Sequence, residues 1–339
     1  MRRTADQLSE HVNGVDTDTV FYLLRIAHLS LFRSMNAEYL EQQLDKLSLT
    51  EREQCLLDIS LGGEMSDEAI HTLIEGLDLE VENQNYLLML SSLGFSGGWT
   101  HFPSEMIPRL KGVHRYHQAH VSIGLPWLAQ QIRALAAEKI PVMLLKGAAM
   151  LTYYASRRPR YIYTYTFTVP PEHFEGALES LLKNGNTMGQ RSPYAAVVKG
   201  NCDSIEICRS VFDAHNEQFS DVWERAEGFL LHGAEVLVPS QEDMFLHLMD
   251  TQSCDYFKKR NTLSRLQWLY DCIDTWGYSD KLRLEHLLSR ARQLHITRRV
   301  RLMLRVFSRC FPELLGPEEL EQAFSRSKEH DELRADGGD

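Results

Sequence analysis

Two stretches, IPVMLLKGAAM at 140–150 and YIYTYTFTV at 161–169, decide the fold. The first is a short apolar run that ends at Lys146 and Gly147, a pattern that predicts a strand and a tight turn into a helix. The second is β-branched and aromatic over most of its length, which is typical of a strand. Together they predict a small β-sheet in the middle of the chain.

Outward from these stretches the pattern alternates between helix and strand. Residues 171–185 have Pro near the start and Asn-Gly at the end, as many helices do. Two extended runs, 194–200 and 203–215, predict a hairpin. A further extended run at 234–239 precedes Ser240, and an acidic residue three positions after this serine predicts a capped helix start.

Helical periodicity flanks the sheet region on both sides. Apolar residues recur at spacings of three and four in 21–32 and 38–49. Gly, Ser and Pro cluster at 94–108, which indicates a boundary. The sequence therefore predicts an α+β protein with four parts: a helical N-terminal region at 1–100, a mixed-sheet core at 101–240, a helical region at 241–325 and a frayed charged tail at 326–339.

The charge and cysteine content narrow the classes of partner. Lys and Arg number 36 against 47 Asp and Glu, and the net charge of −11 opposes broad attraction to nucleic acid or to an anionic membrane. The six cysteines include no Cys-x-x-Cys pair, which favours reduced thiols in a cytosolic protein. No run approaches the ~18 apolar residues of a membrane span, and the first residues lack the apolar run of a secretory signal. The sequence predicts a cytoplasmic protein.

The order of several short motifs resembles a known family. The chain carries, in sequence, LLKGAAM at 144–150, Arg160, a strand ending at Val169, FDAH at 212–215 and LQWLYDCIDTW at 266–276. No one of these motifs is specific, but their order and spacing over roughly 110–280 resemble the uncharacterised bacterial nucleotidyltransferases, whose members share the DNA polymerase β-like nucleotidyltransferase fold. The expected fold is accordingly a nucleotidyltransferase core with helical regions on both sides.

This resemblance implies a particular site. In such enzymes a Leu-Lys-Gly turn cradles nucleotide phosphates, which implies that Lys146, Gly147 and Arg160 contact a nucleotide here. The following strand of the family carries Asp-x-Asp, and its two carboxylates bind two Mg²⁺ ions that assist transfer from a nucleoside triphosphate. A third carboxylate comes from a neighbouring strand, in a stretch like Asp-x-His, where Asp213 and His215 fall.

The chain departs from this pattern at its centre. Counted from Arg160, the Asp-x-Asp positions are occupied by Thr164 and Thr166. A threonine hydroxyl is neutral and coordinates a hard cation only weakly. Asp213 alone would leave a divalent cation undercompensated, so the resemblance implies that two-metal chemistry is lost or greatly slowed.

Two explanations of the departure stay open. Either the protein is a degenerate member that keeps the fold for binding, or other acids serve, such as Asp203 and Glu206 on the predicted hairpin. Because 206 and 213 differ by an odd number, Glu206 would share a face with Asp213 only if a bulge intervened.

Three functions follow from these alternatives. The first is a binding or accessory protein that keeps affinity for a nucleotide, or for a small-molecule or peptide partner, without needing a cofactor. The second is an active Mg²⁺-dependent enzyme that moves a nucleotidyl group from a nucleoside triphosphate to a small molecule or peptide. The third is a protein-interaction scaffold built on the N-terminal helices.

Two further clusters have ordinary structural explanations. His114, His117 and His120 recur every three residues on one predicted helix, and we interpret them as partly exposed helix residues rather than metal ligands. A run of arginines at 298–309 is interpreted as a solvated helix face that pairs with nearby acids such as those in PEELEQ at 317–322.

Overall fold

The computed structural model describes residues 49–80, 82, 84–154, 162, 164–192, 194–200, 203–212, 220–258, 262–278 and 282–336, without the side chains of 220, 252–258, 262–265 and 328–336. All of these residues belong to one compact unit, Leu49–Asp339. The helices predicted at 21–32 and 38–49 lie outside the described residues, except for position 49. Arg160, Asp213 and His215 also lie outside them.

The described residues form twelve α-helices, one short 3-10 helix (Pro171–His173) and seven strands. The helices are α1 (Glu51–Ser60), α2 (Asp67–Ile74), α3 (Gln84–Gly97), α4 (Ile107–Ala137), α5 (Lys146–Thr152), α6 (Phe174–Lys183), α7 (Ser220–Glu224), α8 (Gln241–Lys258), α9 (Thr262–Trp276), α10 (Leu284–Gln293), α11 (Thr297–Cys310) and α12 (Pro317–Asp336). The strands are β1 (Met143–Leu144), β2 (Thr164–Thr168), β3 (Thr187–Arg191), β4 (Ala195–Lys199), β5 (Ser204–Cys208), β6 (Glu227–Leu231) and β7 (Ala234–Val238). Within this part of the chain, no helix combines the length and the apolar character that crossing a membrane would require.

The seven strands form one mixed sheet in the order β3-β4-β5-β2-β1-β7-β6. The pairs β2–β5 and β1–β7 are parallel, and the other four pairs are antiparallel. The sheet confirms the predicted α+β class with a mixed sheet, and the antiparallel pair β4–β5 confirms the predicted hairpin. Helices precede and follow the sheet along the chain.

The sheet around β2 and β5 has one apolar face and one polar face. Successive side chains of a strand point to opposite faces. Tyr165, Phe167, Ile205 and Ile207 share the first face and are fully buried. Helix α4 covers this face, since its Trp127 ring lies 6.4 Å from that of Tyr165. The alternate residues of both strands therefore form the opposite, polar face.

The helices after the sheet contain their own aromatic core and a capped start. Phe245 of α8 packs against Trp276 and Phe307, with ring centroids 5.4 and 5.9 Å away. The backbone N–H of Asp243 donates to Ser240 Oγ at 3.3 Å, which confirms the predicted cap of α8. This cap fixes the passage from the last strand of the sheet into the helical region.

The arginine run of α11 makes local ion pairs, as predicted. Arg305 donates to Glu321 in the PEELEQ segment at 2.8 Å. Arg299 instead pairs with the fully buried Asp250 at 2.6 Å. The arginines of α11 thus pair partly with surface acids and partly with a buried one.

One predicted strand is shorter than expected. The extended run at 203–215 forms strand only as β5, which ends at Cys208. The backbone N–H of Arg209 donates to Tyr194 O, and Tyr194 already lies outside β4. The chain then turns, with Ser210 Oγ accepting from the backbone of Phe212 at 3.3 Å. The prediction of a strand through 209–212 is therefore wrong.

Candidate functional site

The polar face of the sheet is centred on the parallel pair β2–β5. Thr164 lies opposite Ser204, and Thr166 lies opposite Glu206. Paired residues of adjacent strands point to the same side, so two threonines, a serine and a glutamate form one surface. Thr166 is buried and the other three are half-buried, so the surface is reachable from solvent.

Lys146 extends onto this surface from the neighbouring strand. β1 pairs with β2, and the backbone N–H of Leu145 donates to Thr166 O at 2.9 Å. This bond places the first residue of α5 beside Thr166. The Lys146 ammonium then donates to Glu206 Oε2 at 3.2 Å, and the Thr166 hydroxyl donates to the same oxygen at 3.0 Å. Lys146, Thr166 and Glu206 are called the site triad below.

The backbone at Lys146 is left-handed, as it also is at Lys139, His232 and His295. Leu145 is extended, whereas Lys146 has φ = 49°, in the left-handed region that side-chain-bearing residues seldom adopt. Such conformations persist where the surrounding structure enforces them, and they cluster at functional sites. The turn directs the lysine onto the polar face instead of along the strand.

Charge balance is the main electrostatic property of the site. The Lys146 and Glu206 side chains are 35% and 28% exposed, so solvent screens their attraction and the pair adds little to stability. Its consequence is chemical: the carboxylate already has a cation beside it, and the neighbouring threonines carry no charge. The described residues contain no group of three or more His, Cys, Asp or Glu side chains that could hold a metal ion.

The structure brings together some of the predicted site residues. Lys146, Thr164 and Thr166 lie together, and Gly147 follows in the first turn of α5. For Arg160, Asp213 and His215 the predicted roles stay predictions. Glu206, one of the two alternative acids that the sequence left open, lies on the polar face in contact with Lys146 and Thr166. The parity argument assumed a strand through 203–215, and it has no basis once β5 ends at Cys208.

Sequence alternation could have indicated Glu206. Ser204, Glu206 and Cys208 alternate with the apolar Ile205 and Ile207, which places the three polar residues on one face of a half-buried strand. The missing information was which strand lies alongside. The register of β2 with β5 supplies it.

The histidines of α4 differ in burial more than the sequence suggested. His114 is half-buried, and its ring contacts Phe95 with centroids 4.3 Å apart. His117 is only 6% exposed, so the interpretation of all three as partly exposed is wrong for this residue. The His120 side chain is 18% exposed and points towards the start of β5.

A mixed sheet with a lysine-glycine turn at the end of one strand, next to a polar parallel pair, is the arrangement that the family resemblance implies for a nucleotidyltransferase core. A family model described as "Uncharacterised nucleotidyltransferase" matches residues 87–312. This match covers more than half of the chain, and the protein belongs to that nucleotidyltransferase family. A comparison with curated proteins gives no match.

Two solved structures of the antibiotic-resistance factor ANT(2'')-Ia show a weaker likeness. A solution structure covers 51% of this chain and 98% of its own, with 11% identity and a TM-score of 0.36. A crystal structure of the complex with adenylyl-2''-tobramycin covers 54% and 98%, with 10% identity and a TM-score of 0.37. Likeness at this level says nothing about the ligands of the present chain.

Proposed function

We propose that this protein binds a nucleoside phosphate through its nucleotidyltransferase fold without carrying out magnesium-dependent transfer, and that it acts as a binding or accessory protein. The observation that carries the proposal is the site triad. Glu206 is the acidic side chain that the described residues place on the polar face, and Lys146 and Thr166 both bind its Oε2 atom.

The described residues do not fit a two-metal site. Magnesium sites rely on carboxylates, substrate phosphates and water, and two-metal catalysis needs two cations about 3.5–4 Å apart. The two positions of β2 at which the family carries Asp-x-Asp are Thr164 and Thr166 in this chain. Glu206, the carboxylate that the described residues place beside them, faces an ammonium group at 3.2 Å. A divalent cation at Glu206 would be repelled by that ammonium, so we derive no step that involves a metal.

The same arrangement suits an anion. Lysine binds phosphate as a point charge with three N–H donors, and Lys146 is 35% exposed. An incoming phosphate would compete with Glu206 for the ammonium. Removing the charge of Glu206 should therefore strengthen phosphate binding, whereas removing the charge of Lys146 should weaken it.

Calorimetric titration with ATP, with and without Mg²⁺, tests the proposal. We expect binding of ATP alone, weakened about tenfold by Lys146→Gln and strengthened by Glu206→Gln, since a charge-assisted hydrogen bond contributes roughly that factor. Lys183→Gln is the matched control, because Lys183 is an exposed lysine whose partner, Glu179, lies on the same helix. Absence of heat at millimolar ATP would overturn the proposal, as would equal affinity of all three variants.

A second candidate, the active enzyme, is favoured by the position of Glu206. This carboxylate lies on the strand next to β2 and in register with Thr166, where the family resemblance calls for an acid. Incubation with each labelled nucleoside triphosphate and Mg²⁺ tests it through release of pyrophosphate. Release that Glu206→Gln abolishes would favour the enzyme, and absence of release for all four triphosphates would favour the binding protein.

Restoring the missing acids gives an independent check of the register. The double substitution Thr164→Asp and Thr166→Asp places two carboxylates on the face that carries Glu206. We expect it to gain Mg²⁺ binding measurable by calorimetry. A folded double variant that gains none would show that these positions do not form the metal face of the fold.

A further inference from the structure

A polar cluster lies on the opposite face of the sheet from the site triad. It consists of His120 and Gly124 on α4, Tyr165 on β2, and Asp203 directly before β5, and is called the anchor cluster below. Tyr165 stands between Thr164 and Thr166 in the chain, so its side chain points away from the site. The anchor cluster and the site triad therefore share the same two strands.

One ring nitrogen of His120 reaches both strand starts. His120 Nε2 lies 2.8 Å from Asp203 Oδ1 and 3.0 Å from the carbonyl oxygen of Ile162. A carboxylate and a carbonyl are both acceptors, so the hydrogen must be on Nε2. Ile162 lies two residues before β2, and Asp203 immediately precedes β5. A single N–H thus links the beginnings of the two strands that carry the site.

The cluster is tightly enclosed. The Asp203 side chain is 3% exposed. Burial raises its pKa above the ordinary value, whereas His120 and a hydrogen bond from Tyr165 act in the opposite direction. A Cβ on Gly124 would lie 2.1 Å from Tyr165 Oη and 2.5 Å from Asp203 Oδ2. Glycine is unfavourable inside a helix, so its presence here is explained by the close approach of these two polar groups.

We infer that His120 is a positioning residue of the site: its shared hydrogen bond fixes the starts of β2 and β5 and thereby the register that places Thr166 beside Glu206. The link to ligand affinity rests on the proposed function. The effect on the two strands does not rest on the proposed function, because it depends only on the contacts of His120 with Ile162 and Asp203. Because the two acceptors precede different strands, loss of the donor releases both strand starts at once.

Hydrogen exchange and ATP titration of variants test this inference together. His120→Leu removes the donor, whereas His120→Gln keeps a side-chain N–H donor of similar length. We expect His120→Leu to speed amide exchange in 164–168 and 204–208 about tenfold, the factor for one charge-assisted hydrogen bond. His120→Leu should also weaken ATP binding by a similar factor, and it should leave amide exchange in α11 unchanged. His120→Gln should restore both properties, and His114→Leu, on the same helix, should match wild type.

Each other result overturns the inference. Equal impairment of His120→Gln and His120→Leu would show that ring volume matters and the hydrogen bond does not. Unchanged exchange in both strands, or faster exchange over the whole chain, would also contradict it. If the wild type binds no ATP, the proposed function fails while the exchange comparison still decides the role of His120. If His120→Leu does not fold, nuclear magnetic resonance of the wild-type imidazole decides, since hydrogen on Nδ1 alone is incompatible with the inference.

Discussion

Gly124 in α4 provides a direct measure of how closely the helix approaches the sheet. Replacing it with alanine adds a Cβ that meets Tyr165 Oη at 2.1 Å and Asp203 Oδ2 at 2.5 Å. Gly112 on the same helix is the matched control, because it is exposed and no described atom lies within 4 Å of a Cβ built there. Both substitutions change the helix propensity equally, so their difference isolates the contact.

The two substitutions should change the free energy of unfolding by different amounts. Glycine to alanine in a helix interior stabilises by about 1 kcal/mol, which is the expected effect of Gly112→Ala. At Gly124 this gain is opposed by overpacking of about 1–3 kcal/mol and by disruption of buried hydrogen bonds at Asp203 of about 1–3 kcal/mol. We therefore expect Gly124→Ala to lower the free energy of unfolding by about 3 kcal/mol relative to wild type. This is about 4 kcal/mol lower than for the Gly112→Ala control.

Urea unfolding of the full chain, followed by fluorescence and circular dichroism, measures this difference. With a slope of about 3 kcal/mol/M for a large domain, the midpoints of the two variants should differ by more than about 1 M. The slopes themselves should agree, since the exposed surface is unchanged. A Gly124→Ala protein as stable as Gly112→Ala would refute the close packing of the anchor cluster and, with it, the reason for a glycine at this position.

Two further predictions concern ion pairs outside the site. Arg290→Met should destabilise by about 1–3 kcal/mol in the same assay, because the fully buried Asp243 loses a donor at 2.8 Å while it keeps the one from Arg225 at 3.1 Å; a neutral variant would contradict this. Burial effects raise the pKa of Glu175, but hydrogen bonds from Arg209 and Arg191 outweigh them and lower it. Glu175 therefore stabilises the folded protein at pH values above its pKa in the unfolded chain. This stabilisation is lost as the pH falls through its lower pKa in the folded protein. Arg209→Gln should move the Glu175 titration midpoint upward, and an unmoved midpoint would show that this pair does not set it.

Local pattern was enough to predict the elements that carry the site. The apolar run before Lys146 and the β-branched run at 161–169 became β1 with α5 and β2. Side-chain alternation and turn residues act over a few positions, so they are readable in the sequence. The same reasoning predicted Ser240 as the start of α8.

Pairing between distant segments was not readable in the same way. Glu206 joins the site because β5 lies parallel to β2, and the two paired residues are separated by a helix and two strands. No sequence feature near Glu206 indicates that β2 is the neighbouring strand. The bond from His120 to Asp203 is equally non-local, and in the sequence His120 is one of three helix histidines with no distinguishing context.

The two-residue strand β1 has a consequence for the order of folding. It pairs with β2 on one side and with β7 on the other, so it joins the β6–β7 hairpin to the group β3, β4, β5 and β2. Each group contains hairpins that close over short loops, whereas the β1–β7 pairing brings Met143 to Leu237 across almost a hundred residues. Closing a long loop is entropically costly and slow. The two halves of the sheet should therefore form separately, and their joining at β1 should be the late, rate-limiting event that completes the turn carrying Lys146.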